Sequence, residues 1–142
     1  MTRMTRGQAN AALVDGVRTD LAACAEIRAL LERQFEAALR HQSALLTELA
    51  AELAPLLDAM EARRQQRVTL VRALFGPEGQ MGQFIAALAE PVRGKLAADW
   101  QQLEDLVRDC KTATIRNGNL LAEQFSVMQR VLHGEEETYA PR

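Results

Sequence analysis

The chain has 142 residues, of which 48% are hydrophobic but only 4% aromatic, and its formal net charge at pH 7 is −2. This length fits a single domain, and the slightly acidic balance argues against general nucleic-acid binding, which requires a basic face. Its 24 alanines and 20 leucines are strong helix formers, whereas the aromatic and β-branched residues that favour strands are sparse. The composition therefore predicts an all-α fold.

The N-terminal sequence contains no targeting or membrane segment. Residues 1–9 are polar and basic, with no apolar run after the arginines, which predicts neither a signal peptide nor a transmembrane span. We expect a cytoplasmic protein in which these nine residues are disordered and Asn10 caps the first helix. Cys24 and Cys110 lie on apolar stripes without zinc-site spacing, which predicts two buried, reduced cysteines.

Residues 10–75 carry an apolar stripe whose period, about 3.6 residues, is that of a helix. The stripe consists of Leu13, Val17, Leu21, Cys24, Ile27, Leu31, Phe35, Ala38, Leu45, Leu49, Leu53, Leu56, Met60, Leu70 and Leu74. Polar residues 40–44 favour a break between two helices, with Ser43 as a candidate cap, while one nearly continuous helix stays an open alternative. Pro55 is expected to bend the second helix.

A glycine–proline pair, Gly76-Pro77, ends this helical half. Residues 76–91 are predicted to form a turn and a short helix, and Pro91 suits the first turn of the next helix. That helix is predicted over residues 92–133, a length of about 60 Å. Its stripe consists of Leu96, Trp100, Leu103, Val107, Cys110, Thr114, Asn117, Leu121, Phe125, Met128 and Leu132. The fold implied is an elongated antiparallel helical hairpin or bundle with coiled-coil-like packing.

Four arginines form a basic patch before the turn at Gly76. They are Arg63, Arg64, Arg67 and Arg72. One interpretation is favourable placement of cations near a helix C-terminus, and the other is a contact with an acidic partner.

The sequence offers no catalytic, cofactor or metal site. His41 and His133 are the only histidines, and we find no Glu-x-x-His pair, phosphate loop or nucleophile elbow. Phosphotransfer through His41 is an alternative, but no basic residue follows closely and no glycine lies four or five residues on. We therefore expect a protein that is not an enzyme and binds no cofactor.

The C-terminal segment carries the strongest functional signal. Asn117-Gly118 is a pair typical of turns, yet it lies inside an apolar repeat, which predicts a weak point in a helix. The apolar surface that follows is wider than one packing seam and consists of Leu120, Leu121, Phe125, Val127, Met128, Val131 and Leu132. Such a surface can pair with an amphipathic helix of another chain. Residues 134–142 are predicted to be a flexible acidic tail carrying the only tyrosine, Tyr139.

Four segments together resemble the FlgN family of flagellar type III export chaperones. They are LLERQFEAALRHQSALLTELA, the basic helix end RRQQRVTLVRALFG, the Asn-Gly segment RNGNLLAEQFSVMQRVLHG and the terminal TYAPR. The most specific part covers about 25 residues near the C-terminus. The chain departs from the family pattern at Thr114, where an asparagine is common, and it has no final glycine.

The resemblance implies a single FlgN-like domain over residues 1–142 that acts as a cytoplasmic chaperone of the hook–filament junction proteins. It implies that the long helix binds their C-terminal helices, prevents aggregation and delivers them to the export apparatus. The residues expected to contact this cargo are Asn117, Leu120, Leu121, Phe125, Met128, Val131 and Leu132. Tyr139 corresponds to the family tyrosine that contacts the export gate.

Three other interpretations stay open. One is a different helical chaperone or adaptor of the same secretion system, and another is the phosphotransfer domain built on His41. The third is a structural coiled coil whose stripe is buried by self-association. The sequence does not decide between a monomer and a dimer.

Overall fold

The computed structural model describes residues 4–139, and side chains over residues 4–134. It contains four helices: α1 (Arg6–Leu39), α2 (Ser43–Phe75), α3 (Met81–Ala86) and α4 (Val92–Tyr139). This arrangement confirms the all-α prediction and the long C-terminal helix, and it divides the N-terminal half into two helices. No strand occurs within the described range.

The first helix begins earlier than the sequence predicted. Thr5, and not Asn10, is the N-cap: its side chain accepts from the Gln8 amide, and the Gln8 side chain accepts from the Thr5 amide. This reciprocal pair is a capping box, which satisfies two of the unpaired amides at a helix start. The predicted disorder of residues 1–9 is therefore wrong from Arg6 onward, and residues 1–3 lie outside the described range.

The break between α1 and α2 is closed by a Schellman motif. The Gln42 amide donates to the Ala37 carbonyl at 2.9 Å, and the His41 amide donates to the Ala38 carbonyl at 3.2 Å. His41 has a φ of 54°, so it occupies the left-handed position that glycine usually takes in this motif. The residue at the N-cap of α2 is Gln42, which makes no side-chain cap, while Ser43 is the first helical residue. His41 thus lies in an exposed turn, where its backbone ends a helix.

The end of α2 agrees with the sequence, whereas Pro91 lies one residue before α4 and not in its first turn. Pro55 lies inside α2, which continues as one helix to Phe75. Gly76, at a φ of 94°, follows, and its amide donates to the Arg72 carbonyl at 2.8 Å. Pro91 directly precedes the first residue of α4. The polypeptide therefore reverses direction over residues 76–91, which include the short α3.

Helix α1 is the central helix, and it pairs with α2 and α4 in opposite senses. Three contacts between α1 and α4 share one sequence separation of 86 residues, so these helices run parallel in a constant register. The contacts are Cys24 with Cys110, Leu31 with Asn117, and Ala38 with Gln124. Asp20 contacts Arg63 and Arg67, whereas Arg33 lies near Glu52, so α2 runs antiparallel to α1. The bundle is therefore up, down and up.

Buried positions follow a heptad period of 3.5 residues, where the sequence predicted 3.6. Along α1, steps of four and three residues connect buried positions Leu13, Val17, Asp20, Cys24, Ile27 and Leu31. On α4 the buried positions are Leu96, Asp99, Leu103, Ala113 and Asn117. A straight stripe of period 3.6 drifts by about 20° per heptad from this seam. The drift explains why the predicted stripes included exposed Val107 and Thr114 and missed the buried Asp20 and Asp99.

The core forms two apolar clusters along the bundle. The first lies near α3 and consists of Leu13, Val17, Cys24, Val71, Met81, Phe84, Ile85, Leu96 and Leu103. The second lies toward the α1–α2 turn and consists of Ile27, Leu30, Leu31, Ala37, Leu49, Leu53 and Ala113. Both clusters are built on α1, so the packed part of the molecule ends where α1 ends.

The two cysteines meet in the seam between α1 and α4. Their sulfur atoms are 3.7 Å apart, and both thiols are free. Burial, reinforced by the hydrogen bond with Cys110, raises the pKa of Cys24 to about 12. Burial also raises the pKa of Cys110. Both side chains therefore stay neutral thiols at physiological pH and pack as small apolar groups.

Two arginines of the basic patch hold a buried carboxylate. Asp20 is fully buried, and it accepts hydrogen bonds from Arg63 and, at 2.9 Å, from Arg67. The Arg67 guanidinium also lies 5.3 Å from the centre of the Trp100 ring on α4. One side chain of α2 therefore contacts both other long helices, so these arginines contribute to the bundle itself.

Candidate partner-binding surface

Helix α4 extends past the end of α1. The Gln124 side chain donates to the Ala38 carbonyl at 2.9 Å, one residue before α1 ends at Leu39. The constant register places Leu39 level with Phe125. Residues 125–139, which we call the α4 tip, thus continue for about 22 Å beyond the hairpin formed by α1 and α2. The tip is a helix without an α1 backbone beside it.

The α4 tip exposes large apolar side chains. Their exposed fractions are 64% for Phe125, 45% for Val127, 56% for Met128, 55% for Val131 and 51% for Leu132. At about 100° per residue, these positions and Gln124 cover an arc of about 160°. A contiguous exposed apolar surface of this kind is typical of a protein-interaction site. The arc is wider than the narrow seam that one coiled-coil partner covers.

The predicted contact residues divide into two groups. Phe125, Met128, Val131 and Leu132 lie together on the α4 tip, with the partly exposed Leu121 at their edge. Leu120 is half-buried on the side of α4 that follows the α1 seam. Asn117 is buried in that seam, and only 2% of it is exposed. The exposed surface therefore begins one turn after the Asn-Gly pair.

Asn117 connects α4 to α1 by its side-chain amide. Its Nδ2 donates to the Leu31 carbonyl and to Gln34 Oε1, both at 2.8 Å, and its Oδ1 accepts from Arg116. A buried asparagine in a coiled-coil seam fixes register, because a shifted register leaves its polar atoms unpaired. The structure places Asn117 away from the surface that a partner could reach.

Arg116 reinforces the attachment at the base of the tip. Its guanidinium lies 3.9 Å from the centre of the Phe35 ring, and it forms a 3.0 Å ion pair with Glu32. Hydrogen bonds from Arg28 and Arg116 lower the pKa of Glu32. These contacts join α1 and α4 directly below the point where α4 leaves the bundle.

Gly118 lies within a continuous helix. It is exposed, and a Cβ atom added there would meet no atom within 4 Å. In the Asn-Gly pair, the Asn117 side chain therefore anchors α4 to α1. Gly118 weakens the helix only because glycine has a low helix propensity.

Replacing Gly118 with alanine is expected to raise the free energy of unfolding by about 1 kcal/mol, because the methyl group fits and alanine favours the helix. Urea denaturation followed by circular dichroism measures this change. A decrease in stability would mean that the helix does not continue through residue 118.

The predicted end of the long helix at residue 133 is too early. Helix α4 continues through Gly134 to Tyr139. The three glutamates that follow the glycine are good helix formers, whereas one glycine costs only about 1 kcal/mol. The tail prediction for residues 140–142, and the side chain of Tyr139, lie outside what the structure describes.

No group of three or more potential ligands among the described residues could hold a metal ion. Over the same part of the chain, no helix combines the length and the hydrophobicity that a membrane crossing needs.

Comparison with known proteins identifies one relationship. A family model described as FlgN protein matches residues 4–134, which include all four helices up to the second half of the α4 tip. No curated protein and no solved structure matches the chain.

Proposed function

This chain belongs to the FlgN family of flagellar export chaperones, and we propose that it binds hook–filament junction proteins in the cytoplasm. The cargo element is the C-terminal helix of each junction protein, and the α4 tip is the surface that takes it. The chaperone keeps this helix from aggregating until the export apparatus receives it.

The observation that carries this proposal is the exposed apolar face of the α4 tip. Its large side chains lie level with or beyond the end of α1 and are exposed, so a partner can cover them without disrupting the core. A cargo helix can continue the line of α1 along Val127 and Val131, which extend the heptad seam. Phe125, Met128 and Leu132 then contact it from the adjacent part of the arc.

Reversible binding follows from the position of the surface. The tip is attached to the bundle on one end only, so its free helix is of low local stability. Part of the interaction energy is therefore spent on ordering the tip when cargo binds. The result is a complex that is specific through its apolar contacts but that the export machinery can separate.

Calorimetric titration of the full chain with a peptide from the C-terminal helix of a junction protein tests the proposal. We expect saturable binding, and no binding to a peptide of the same composition whose apolar residues are rearranged to lack a helical face. Equal binding to both peptides, or to neither, would refute the proposed cargo.

Tyr139 is proposed as the contact with the export gate, on the basis of the family resemblance. Its position supports this role, because it ends α4 seven residues after Leu132, about 10 Å farther along the helix. Replacing Tyr139 with alanine should leave affinity for the cargo peptide unchanged and weaken binding to the cytoplasmic domain of the gate. Unchanged gate affinity would remove this residue from the proposal.

A further inference from the structure

The two cysteines of the chain lie opposite each other in the seam between α1 and α4. Cys24 and Cys110 are 86 residues apart, the same separation as in the other contacts of this parallel pair, so the helix register itself holds the two thiols together. Their sulfur atoms are 3.7 Å apart, whereas a disulfide bond is about 2.05 Å long. Small rotations of both side chains about their Cα–Cβ bonds can close this difference.

A groove between α2 and α4 gives access to this pair. It has a volume of about 840 Å³, and both cysteines are among the residues that line it. Cys24 is only 1% exposed, whereas Cys110 is partly exposed. A small reagent that enters the groove therefore reaches the sulfur of Cys110 first.

The surroundings of the two thiols also favour Cys110 as the first nucleophile. Burial raises the pKa of Cys24, and its hydrogen bond with Cys110 raises this pKa further, to about 12. Burial raises the pKa of Cys110 as well, but here the hydrogen bond with Cys24 and the positive charge of Arg28 oppose the effect. Because the thiolate is the attacking species, we expect the reaction to be slow and to begin at Cys110.

We propose that Cys24 and Cys110 form a redox modification site whose substrate is a low-molecular-weight disulfide. The Cys110 thiolate attacks one sulfur of this reagent, which gives a mixed disulfide and releases the first small thiol. The Cys24 thiolate then attacks the Cys110 sulfur, which forms the bond between the two cysteines and releases the second small thiol. The two protein thiols are oxidised, the reagent is reduced, and the two thiol protons end on the released thiols. An excess of a small thiol reverses both steps.

The disulfide would lock α4 to α1 in the observed register. A cross-link between residues 86 positions apart removes much conformational freedom from the unfolded chain, so the oxidised protein should be the more stable form. Phe125 lies about 22 Å beyond Cys110 along α4, so the lock leaves the α4 tip free. The site therefore acts on the bundle, and it exists or fails independently of the proposed cargo.

Incubation of the folded full chain with excess oxidised glutathione tests the site. The expected product is a monomer whose mass is lower by about 2 Da, the mass of the two hydrogens lost, and which has no thiol left to react with a maleimide after denaturation. In concentrated urea the same reagent should leave glutathione on the cysteines, because the two thiols are no longer held together. A folded chain that keeps a glutathione adduct, forms disulfide-linked dimers or retains both thiols overturns the proposal.

Two alanine variants test the order of attack, after circular dichroism has shown that both are folded. Cys24→Ala should accumulate glutathione on Cys110, because the second thiol is missing. Cys110→Ala should react at least about tenfold more slowly, because the remaining thiol is buried. Equal rates in the two variants would contradict attack by Cys110 first.

Thermal unfolding tests the lock. We expect the midpoint of the oxidised chain to lie about 10 °C above that of the reduced chain, and to return to the lower value when a reductant is added. A midpoint that stays the same or falls on oxidation would show that the disulfide does not hold α4 to α1 in the native register, and the lock would be refuted.

Discussion

Replacing Arg67 with methionine is expected to lower the free energy of unfolding by about 3 kcal/mol. The Asp20 side chain is fully buried, so loss of one of its two arginine partners leaves a carboxylate that Arg63 alone must compensate. The substitution also removes the contact of Arg67 with Trp100. Urea denaturation at one low protein concentration, followed by circular dichroism and by the fluorescence of this single tryptophan, measures the change.

Arg64→Met is the matched control for this prediction. Arg64 lies one turn away on α2, and its pair with Glu61 is about half exposed on both sides. Exposed pairs of this kind contribute at most about 1 kcal/mol. Equal destabilisation by the two substitutions would show that the buried cluster around Asp20 does not hold α2 to α1.

The double substitution Phe125→Glu with Leu132→Glu is expected to weaken cargo binding at least about 100-fold. Both side chains are more than half exposed in the free chain, so the glutamates face water and the helix content should stay unchanged. In the complex, each glutamate would be placed against an apolar helix face, where burying an unpaired charge is costly. Calorimetric titration with the cargo peptide measures the loss.

Ser126→Glu with Gln129→Glu provides the control on the same two turns of α4. These exposed positions lie on the other side of the tip, and the double substitution adds the same charge. We expect affinity within a few-fold of the unsubstituted chain. A comparable loss in both double variants would point to net charge and not to the apolar face.

The helices themselves were predictable from local sequence signals. Alanine and leucine content predicted the all-α fold, and Gly76-Pro77 correctly predicted the end of α2. The exposed face of the α4 tip was also predictable, because residues 125–132 carry more apolar surface than one seam uses. Thr5 was missed as a cap, although the spacing from Thr5 to Gln8 is a recognisable capping signal.

The polar positions Asp20 and Gln34 of the seam could not be read from a stripe of period 3.6. That period selected Leu21 and Phe35, whereas the heptad seam contains the neighbouring Asp20 and Gln34. Only the tertiary register shows that Asp20 meets arginines 43 and 47 residues away. The sequence correctly singled out Asn117 as unusual, but it attributed this residue to a weak point in the helix. In the structure Asn117 is instead buried against α1, and this burial depends on the parallel alignment of α4 with α1.

The structure changes how the C-terminal half of α4 is divided. Residues up to Gln124 belong to the bundle, and the Asn117 amide fixes their register. Residues beyond this point form the surface on which the proposed cargo binding depends.

Hydrogen exchange of the backbone amides in the α4 tip tests the central claim most directly. The measurement compares the free chain at low concentration with its complex with a junction-protein helix. We predict that amides at 125–134 exchange rapidly in the free chain and become protected on binding, while amides at 103–117 change little. Saturable binding that leaves the tip amides unprotected and protects another part of the bundle would contradict the account.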